Sequence, residues 1–354
     1  MLSDNVAARL NDLTLKNNIP VVATIELTRR CPLACAHCYL PETRADAGLS
    51  RQRELSTAQW KMILKRLAEA GSIYLVFTGG EPLLRSDLAE LCFYAKKLNF
   101  DVKVYSSGLG MSRSLAGKLK KTGVSAFEIS LYGREPVHDA ITGLKGSFKQ
   151  SLLAASALKK AGIAVKLKTP LMKLNFKERG WLSRLAKTRG FNSGFDPVIA
   201  PGNDGSTSNL KYRLNKRQLE MVVNDGPLSG DVWRPADNRR RSSPAFDFFC
   251  GAGRNVAGLD PYGNLNPCLQ IPVNIGNALK DPVKKIWESS PWLKKWRALR
   301  DSDLKECRNC RYLTACNRCP GISLLEKGSL LAPNSMACEM AGIISRSLSD
   351  IRLS

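Results

Sequence analysis

An α/β fold, in which six β–α units form a partial barrel ahead of a cysteine-rich C-terminal region, is what this 354-residue sequence predicts. Three observations carry that prediction. Between residues 21 and 200, short apolar runs alternate with amphipathic helical patterns, the rhythm of a parallel sheet covered by helices. After residue 200 the rhythm stops in the loop-forming run Pro201-Gly-Asn-Asp-Gly-Ser-Thr-Ser. Seven of the eleven cysteines then crowd into the last third of the chain.

The elements follow in order. Strands are expected over 21–27, 73–77, 102–105, 126–131, 165–171 and about 194–199. Ser56 and Gln59 form a capping box ahead of a helix whose apolar face is Trp60, Ile63, Leu64 and Leu67, with Gly71 as its stop. Ser86 is expected to cap the next helix, whose face is Leu88, Leu91, Cys92, Ala95 and Leu98. That face makes Cys92 a packing residue rather than a reactive thiol. Four segments result: an N-terminal segment over 1–20, the barrel over 21–200, a linker region over 201–249 and a cysteine-rich domain over 250–354. The linker region holds one helix, over about 215–224, and an irregular basic stretch that includes Arg239-Arg240-Arg241.

Lys and Arg number 54 against 31 Asp and Glu, a net charge of +23. That balance points to an acidic partner: an acidic leader peptide, a polycarboxylate substrate or a small acidic electron donor. The basic residues are scattered, with no basic stripe interleaved with aromatics, so nucleic acid is disfavoured. No run is apolar enough to span a membrane, and the first residues lack the apolar core of a secretory signal. Many cysteines without an export signal argue for reduced thiols, metal ligation and a cytoplasmic location.

The triplet Cys31-x3-Cys35-x2-Cys38 offers three thiolates, whereas a [4Fe–4S] cluster has four irons. One iron would stay open to a small molecule. Zinc is the competing reading, but it usually takes four ligands, and neither His37 nor His138 completes such a set. Parallel barrels place their active sites at the C-terminal ends of their strands. The triplet follows the first expected strand, and Thr78-Gly79-Gly80-Glu81-Pro82 follows the second. Ser106-Ser107-Gly108 follows the third, Ser130 ends the fourth, and Lys168-Thr169 lies late in the fifth.

This triplet followed by a GGEP segment resembles the radical S-adenosylmethionine (SAM) enzymes, over about residues 21–340. The resemblance implies a TIM-like partial barrel and a cluster on Cys31, Cys35 and Cys38. It further implies SAM chelating the free iron, cleavage to a 5′-deoxyadenosyl radical, and hydrogen abstraction from a substrate. It makes Gly79, Gly80 and Glu81 the segment against the methionine amino group, with the glycines admitting close backbone approach. By the same resemblance Ser107 and Ser130 bond the ribose or the methionine carboxylate, and Lys168 is its countercharge. His37 would pack near the adenine, while His138-Asp139 reads as a loop-locking segment.

Cys250, Cys268, Cys307, Cys310, Cys316, Cys319 and Cys338 resemble the ligands of a SPASM domain, which holds one or two auxiliary [4Fe–4S] clusters. The family pattern ends its third block in C-x3-C, whereas two residues separate Cys316 and Cys319 here. The resemblance implies Cys307, Cys310, Cys316 and Cys338 on one cluster. Cys250, Cys268 and Cys319 would sit on another, whose fourth site is open or filled by a non-cysteine residue. Structural zinc is disfavoured, because seven ligands do not divide into four-cysteine sites. Relatives with this layout mostly mature ribosomally made peptides or proteins, so the expected activity is crosslinking, oxidation or epimerisation of a peptide. The stretch Asp196-Pro-Val-Ile-Ala-Pro-Gly-Asn-Asp-Gly resembles peptide-maturing members, and Asp196 and Asp204 lie where an acid or base would be wanted. Such a peptide would arrive through a separate leader-recognition protein or through the basic surface. The alternative is side-chain modification of a tetrapyrrole, whose carboxylates suit the basic charge. A non-catalytic electron carrier is disfavoured by the GGEP segment, since it needs no SAM pocket.

Overall fold

The computed structural model describes residues 2–40, 54–225 and 250–352. The basic run at 239–241 and the rest of the linker beyond residue 225 lie outside the described residues. Helix α1 (Leu2–Lys16) precedes strand β1 (Val22–Glu26), and the barrel units follow. They are α2 (Thr57–Glu69), β2 (Tyr74–Thr78), α3 (Leu88–Lys97), β3 (Asp101–Ser106), α4 (Arg113–Lys121) and β4 (Ala126–Ser130). Then come α5 (Glu135–Thr142), α6 (Ser147–Lys160), β5 (Ala164–Pro170), α7 (Arg179–Arg189), β6 (Asn192–Asp196) and α8 (Lys216–Asn224).

The six strands are parallel and lie side by side in sequence order from β1 to β6, so every strand end that carries a motif points the same way. Ile25, Leu75, Phe77, Val104, Phe127 and Ile129 are buried between this sheet and its helices. Trp60, Ile63, Leu64 and Leu67 of α2 join them, behind a capping box in which Ser56 and Gln59 each bond the other's backbone. Cys92 is fully buried on the packed face of α3. Ser86 does not cap that helix. Asp87 is the N-cap and makes no cap bond, because its carboxylate accepts from Arg85 and Thr57 instead. The sixth strand runs earlier than its apolar residues suggest. Pro197 has no N–H to offer, and Asp196 Oδ1 accepts from Val198 N at 2.9 Å, which turns the chain.

The C-terminal region adds β7 (Val256–Leu259), β8 (Asn264–Asn266) and β9 (Gly276–Asn277) to the same sheet. Strand β7 pairs parallel to the free edge of β1, Val22 against Val256 through Ile25 against Leu259, which covers that edge. The helices α9 (Val283–Ser289), α10 (Pro291–Ala298), α11 (Pro320–Lys327) and α12 (Ser335–Arg352) complete the fold. Side chains tie the two regions together. Arg66 of α2 donates to the carbonyls of Ala278 and Leu279, Trp287 of α9 donates to Asn18 O, and Arg213 pairs with Glu326 of α11. Gly258 matters within β7, because a Cβ there would lie 2.8 Å from the backbone of Cys268 and Leu269. Its absence lets the turn that carries Cys268 cross the strand.

Candidate active site

The loop after β1 is held from both sides. Ala34 N and Ala36 N donate to Thr142 O and Ile141 O at the end of α5, at 2.8 and 2.9 Å. At its start, Glu54 accepts from Thr28 Oγ1, Arg29 N and the Arg30 guanidinium. Glu26, buried at the end of β1, pairs with Arg29 at 2.9 Å and accepts from Tyr39 Oη at 3.0 Å. Three cysteines hang on this fixed loop, none of them disulfide-bonded. Burial, together with the neighbouring thiols, pushes Cys31 and Cys35 up to about 12. A ligand that claims them as thiolates therefore displaces protons.

The GGEP segment locks onto this loop by backbone. Gly80 N donates to Thr28 O at 2.7 Å and Glu81 N to Arg30 O at 2.8 Å. Gly79 sits at φ +128°, and a Cβ there would lie 2.4 Å from Thr28 O; one on Gly80 would lie 2.2 Å from Arg30 O. Glycine is needed at both places because another stretch of backbone occupies the space. The Glu81 side chain turns away from the cavity. Its carboxylate accepts from Leu83 N at 3.0 Å, Ser106 Oγ at 2.7 Å, Ser107 N at 2.7 Å and Ser107 Oγ. Burial pushes it above the usual carboxylate range, against the pull of those four donors. Glu81 thus fastens the end of β3 to the GGEP segment, and only Gly79 and Gly80 of that segment face the cavity.

At the strand ends lies a cavity of about 530 Å³, inside the range of small-molecule sites. Cys31, Cys35 and Cys38 wall it, and so do Gly79, Gly80, Ser107, Ser130 and Lys168. Ser107 donates to Glu81, and Lys168 Nζ lies 3.5 Å from Glu128 Oε2 and 4.3 Å from the centre of the Tyr105 ring. Asp196 shares the wall, raised above the usual carboxylate range by burial, with Lys168 opposing that shift. Asp204 lies outside this cavity. His37 presents Nδ1 buried and without a partner, and burial lowers the imidazole to about 4, so it is neutral near pH 7. His138 is not in the wall. It accepts from Tyr132 N at 3.2 Å and stacks on the Tyr132 ring, while Asp139 accepts from Gly146 N, Ser147 Oγ and Phe148 N to start α6.

The second cysteine block folds into two groups. Burial raises Cys250 and Cys268, the nearby Cys319 thiol adds to both shifts, and Cys268 Sγ accepts from Gln270 N at 3.2 Å. Burial likewise raises Cys307 and Cys338, and the nearby Cys310 thiol adds to both shifts. Between the groups sits Arg318, lowered by burial and opposed by Cys307, Cys316, Cys250 and Cys319. Cys319, Gln270 and Ile322 also wall the main cavity, so the C-terminal region completes it. Sequence reasoning missed Gln270, Ile322 and Tyr105. Tyr132 carried a signal, since it stands two residues beyond Ser130 at a strand end. Gln270 and Ile322 carried none, because their place depends on how the two regions dock.

The donor set fits an iron–sulfur cluster with SAM. The cysteine loop brings three thiols and no fourth to the cavity, and the next thiol on its wall, Cys319, reaches it from the other region. Among the described residues no three His, Cys, Asp or Glu converge tightly enough for a single metal ion. A cluster with a separate iron for each thiolate tolerates the wider spacing.

Comparison with known proteins agrees with this geometry. The family model for the radical SAM superfamily matches residues 25–185, and the SPASM model, an iron–sulfur cluster-binding domain, matches residues 250–311. The chain is 35% identical to an Fe-coproporphyrin III synthase of Methanosarcina barkeri, over 85% of this chain and 83% of that one. It is 28% identical to the mycofactocin maturase MftC of Mycolicibacterium smegmatis, over 84% and 77%. Its fold superposes on Streptococcus suis SuiB bound to the precursor peptide SuiA with a TM-score of 0.69, at 16% identity, covering 94% of this chain and 80% of that one.

Proposed function

This chain belongs to the radical SAM superfamily, and from that premise we propose that it modifies a ribosomally made peptide or protein by removing hydrogen from a side chain held between its two regions. When bound, the cluster and SAM supply a carbon-centred radical, and auxiliary clusters supply a path for an electron. Cys31, Cys35 and Cys38 would hold the first cluster. Cys250, Cys268 and Cys319 would hold one auxiliary cluster, and Cys307, Cys310, Cys316 and Cys338 the other. Gly79 and Gly80 let the cysteine loop pack directly on their backbone beside the cavity, and Ser107, Ser130 and Lys168 would offer polar contacts to SAM. Leu33, Ile199 and Ile322 make part of the wall apolar, which excludes water from the reacting atoms. Asp196, on the same wall, is placed to take the proton that a two-electron oxidation releases.

One observation carries the peptide reading. The reaction cavity is walled by both regions and opens to the surface, and the segments that wall it run on to wall a second cavity. An elongated substrate can lie along such a cleft. A specific observation also favours a tetrapyrrole as the second reading: the relative that is 35% identical makes Fe-coproporphyrin III. Lys168 would suit a tetrapyrrole carboxylate.

The test is anaerobic co-expression with the short peptides encoded beside the gene, read by intact mass. The expected result is loss of about two hydrogens, or uptake of deuterium from heavy water. If no peptide changes while SAM is still cleaved to 5′-deoxyadenosine, the peptide reading fails, and tetrapyrroles are the next substrates to supply.

A further inference from the structure

The two ligand sets of the C-terminal region meet at one turn, Cys316-Asn-Arg-Cys319. On the assignment above, Cys316 belongs to one set and Cys319 to the other, so Arg318 stands between them in the chain. The turn is clipped at two points to the loop ahead of α12, the helix that carries Cys338. Arg318 Nε and Nη2 donate to Ala332 O at 3.3 and 2.9 Å, and Nη2 also donates to Leu330 O. Buried Asn334 donates through Nδ2 to Cys319 O at 3.3 Å and accepts from Ala337 N at 2.8 Å, which starts α12. The Arg318 side chain is half-buried and held on two carbonyls, which fixes where its charge sits.

That charge reaches both sets. Cys250 and Cys319 feel it on one side, and Cys307, Cys316 and Cys338 on the other. An arginine keeps its charge at any ordinary pH, and bonds to neutral carbonyls do not cancel it. Each set, once loaded, is ringed by thiolates, and reduction adds one more negative charge. Burial disfavours that addition, most of all beside Cys250 and Cys268, whose free thiols it already pushes up to about 11 and about 12. A fixed cation between the sets offsets it. At an effective dielectric of about 20, a unit charge about 10 Å away changes such an equilibrium roughly tenfold.

We propose that the Arg318 guanidinium sets the reduction potential of both auxiliary clusters, so that each takes up an electron more readily than its thiolates and its burial alone would allow. It acts through its charge, not as a ligand. The proposal needs the auxiliary clusters but no particular substrate, so it stands for a peptide and for a tetrapyrrole alike. The competing account is mechanical: Arg318 only clamps the loop at Leu330 and Ala332. Two substitutions separate the accounts. Lysine keeps the charge but lacks the planar two-pronged donor, whereas glutamine keeps a donor amide but lacks the charge.

The test is an anaerobic, mediator-coupled redox titration of the holoenzyme, followed by electron paramagnetic resonance. In it each cluster gains one electron from the titrant, and no bond forms or breaks. The signal that changes on adding SAM belongs to the cluster of Cys31, Cys35 and Cys38, and the remaining signals belong to the auxiliary clusters. In Arg318→Gln the constant for one-electron reduction of the auxiliary clusters should fall about tenfold, a downward shift of about 60 mV. In Arg318→Lys it should stay within about threefold of wild type. The SAM-responsive cluster should move by less than about twofold in both, since its thiols are not among those that Arg318 reaches. Iron content and melting temperature report whether each variant is folded and loaded. Wild-type auxiliary potentials in a fully loaded Arg318→Gln enzyme would overturn the proposal. An equal fall in Arg318→Gln and Arg318→Lys would assign the effect to the lost clamp, and an equal shift of every cluster would assign it to a general distortion; either result overturns the proposal. Arg318→Met is the second uncharged variant. If neither it nor Arg318→Gln retains its auxiliary iron, Arg318 is structural and the proposal falls.

Discussion

Replacing Gly80 by alanine tests the junction between the two motifs. The added Cβ would lie 2.2 Å from Arg30 O, 2.6 Å from Arg30 C and 2.7 Å from Arg29 O. All three are backbone atoms, so no side chain can rotate away. Reaching ordinary contact at about 3.4 Å means that one strand of the junction moves by about 1 Å. That motion breaks or stretches the bonds from Gly80 N to Thr28 O and from Glu81 N to Arg30 O, at 2.7 and 2.8 Å. Two hydrogen bonds at about 1 kcal/mol each and an overpacking cost of about 1–3 kcal/mol give a loss of about 3–5 kcal/mol. Cys31 follows Arg30 directly, and a displacement of about 1 Å near reacting groups can cost about a hundredfold in rate. The assay is the initial rate of 5′-deoxyadenosine formation, read beside iron content and melting temperature. Gly117→Ala is the control: nothing lies within 4 Å of its Cβ position in α4, so it should stabilise by about 0.5–1 kcal/mol. A Gly80→Ala enzyme with wild-type iron, wild-type melting temperature and a rate within about twofold would refute the argument.

Four further outcomes follow from the same structure. Burial lowers His37 and His138 to about 4, so the folded protein keeps them neutral while the unfolded chain titrates near 6.5. Stability is then full above pH 6.5 and falls as pH drops toward about 4, by about 3 kcal/mol for each histidine. Denaturant titrations at several pH values should show that slope, and His138→Gln should flatten about half of it. Cys35→Ala should abolish SAM cleavage, whereas Cys310→Ala should retain some cleavage yet block substrate turnover; full product from the Cys310 variant would rule out an electron-accepting role for the second block. Cys92→Ala should cost about 1–2 kcal/mol and leave the iron content unchanged, since the thiol is buried in the packed face of α3. Arg213→Met leaves Glu326 largely buried without its partner, and should cost about 3 kcal/mol in thermal unfolding.

Much of the fold was legible because its signals are local. The capping box at Ser56 and Gln59 is written in residues three apart, and the apolar face of α2 is written in a 3.6-residue period. The Ser86 cap was misread because Asp87 is claimed by Arg85 and Thr57, and the Thr57 contact is made across the fold. The reach of β6 was misread because one side chain, Asp196, bends the chain earlier than hydropathy alone suggests. Glu81 shows the same limit at the site. Its place in the segment was visible, but its inward turn toward Ser106 and Ser107 depends on where β3 ends beside it.

By itself the sequence determined the ligand chemistry: which thiols come in threes, which glycines border them, and which strand ends they follow. Those facts depend on residue type and spacing, which no packing can change. Tertiary structure alone decided what encloses that chemistry. The pairing of β7 with β1 brings Cys319, Gln270 and Ile322 onto a cavity whose other wall is built more than 200 residues earlier, around Cys31. It also brings Asp260 and Asn274 to the second cavity, which Arg29 and Asn203 line. The physical reason is that hydrogen-bond ladders and side-chain burial act between segments far apart in the chain, so a wall made of two regions has no signature in either one alone.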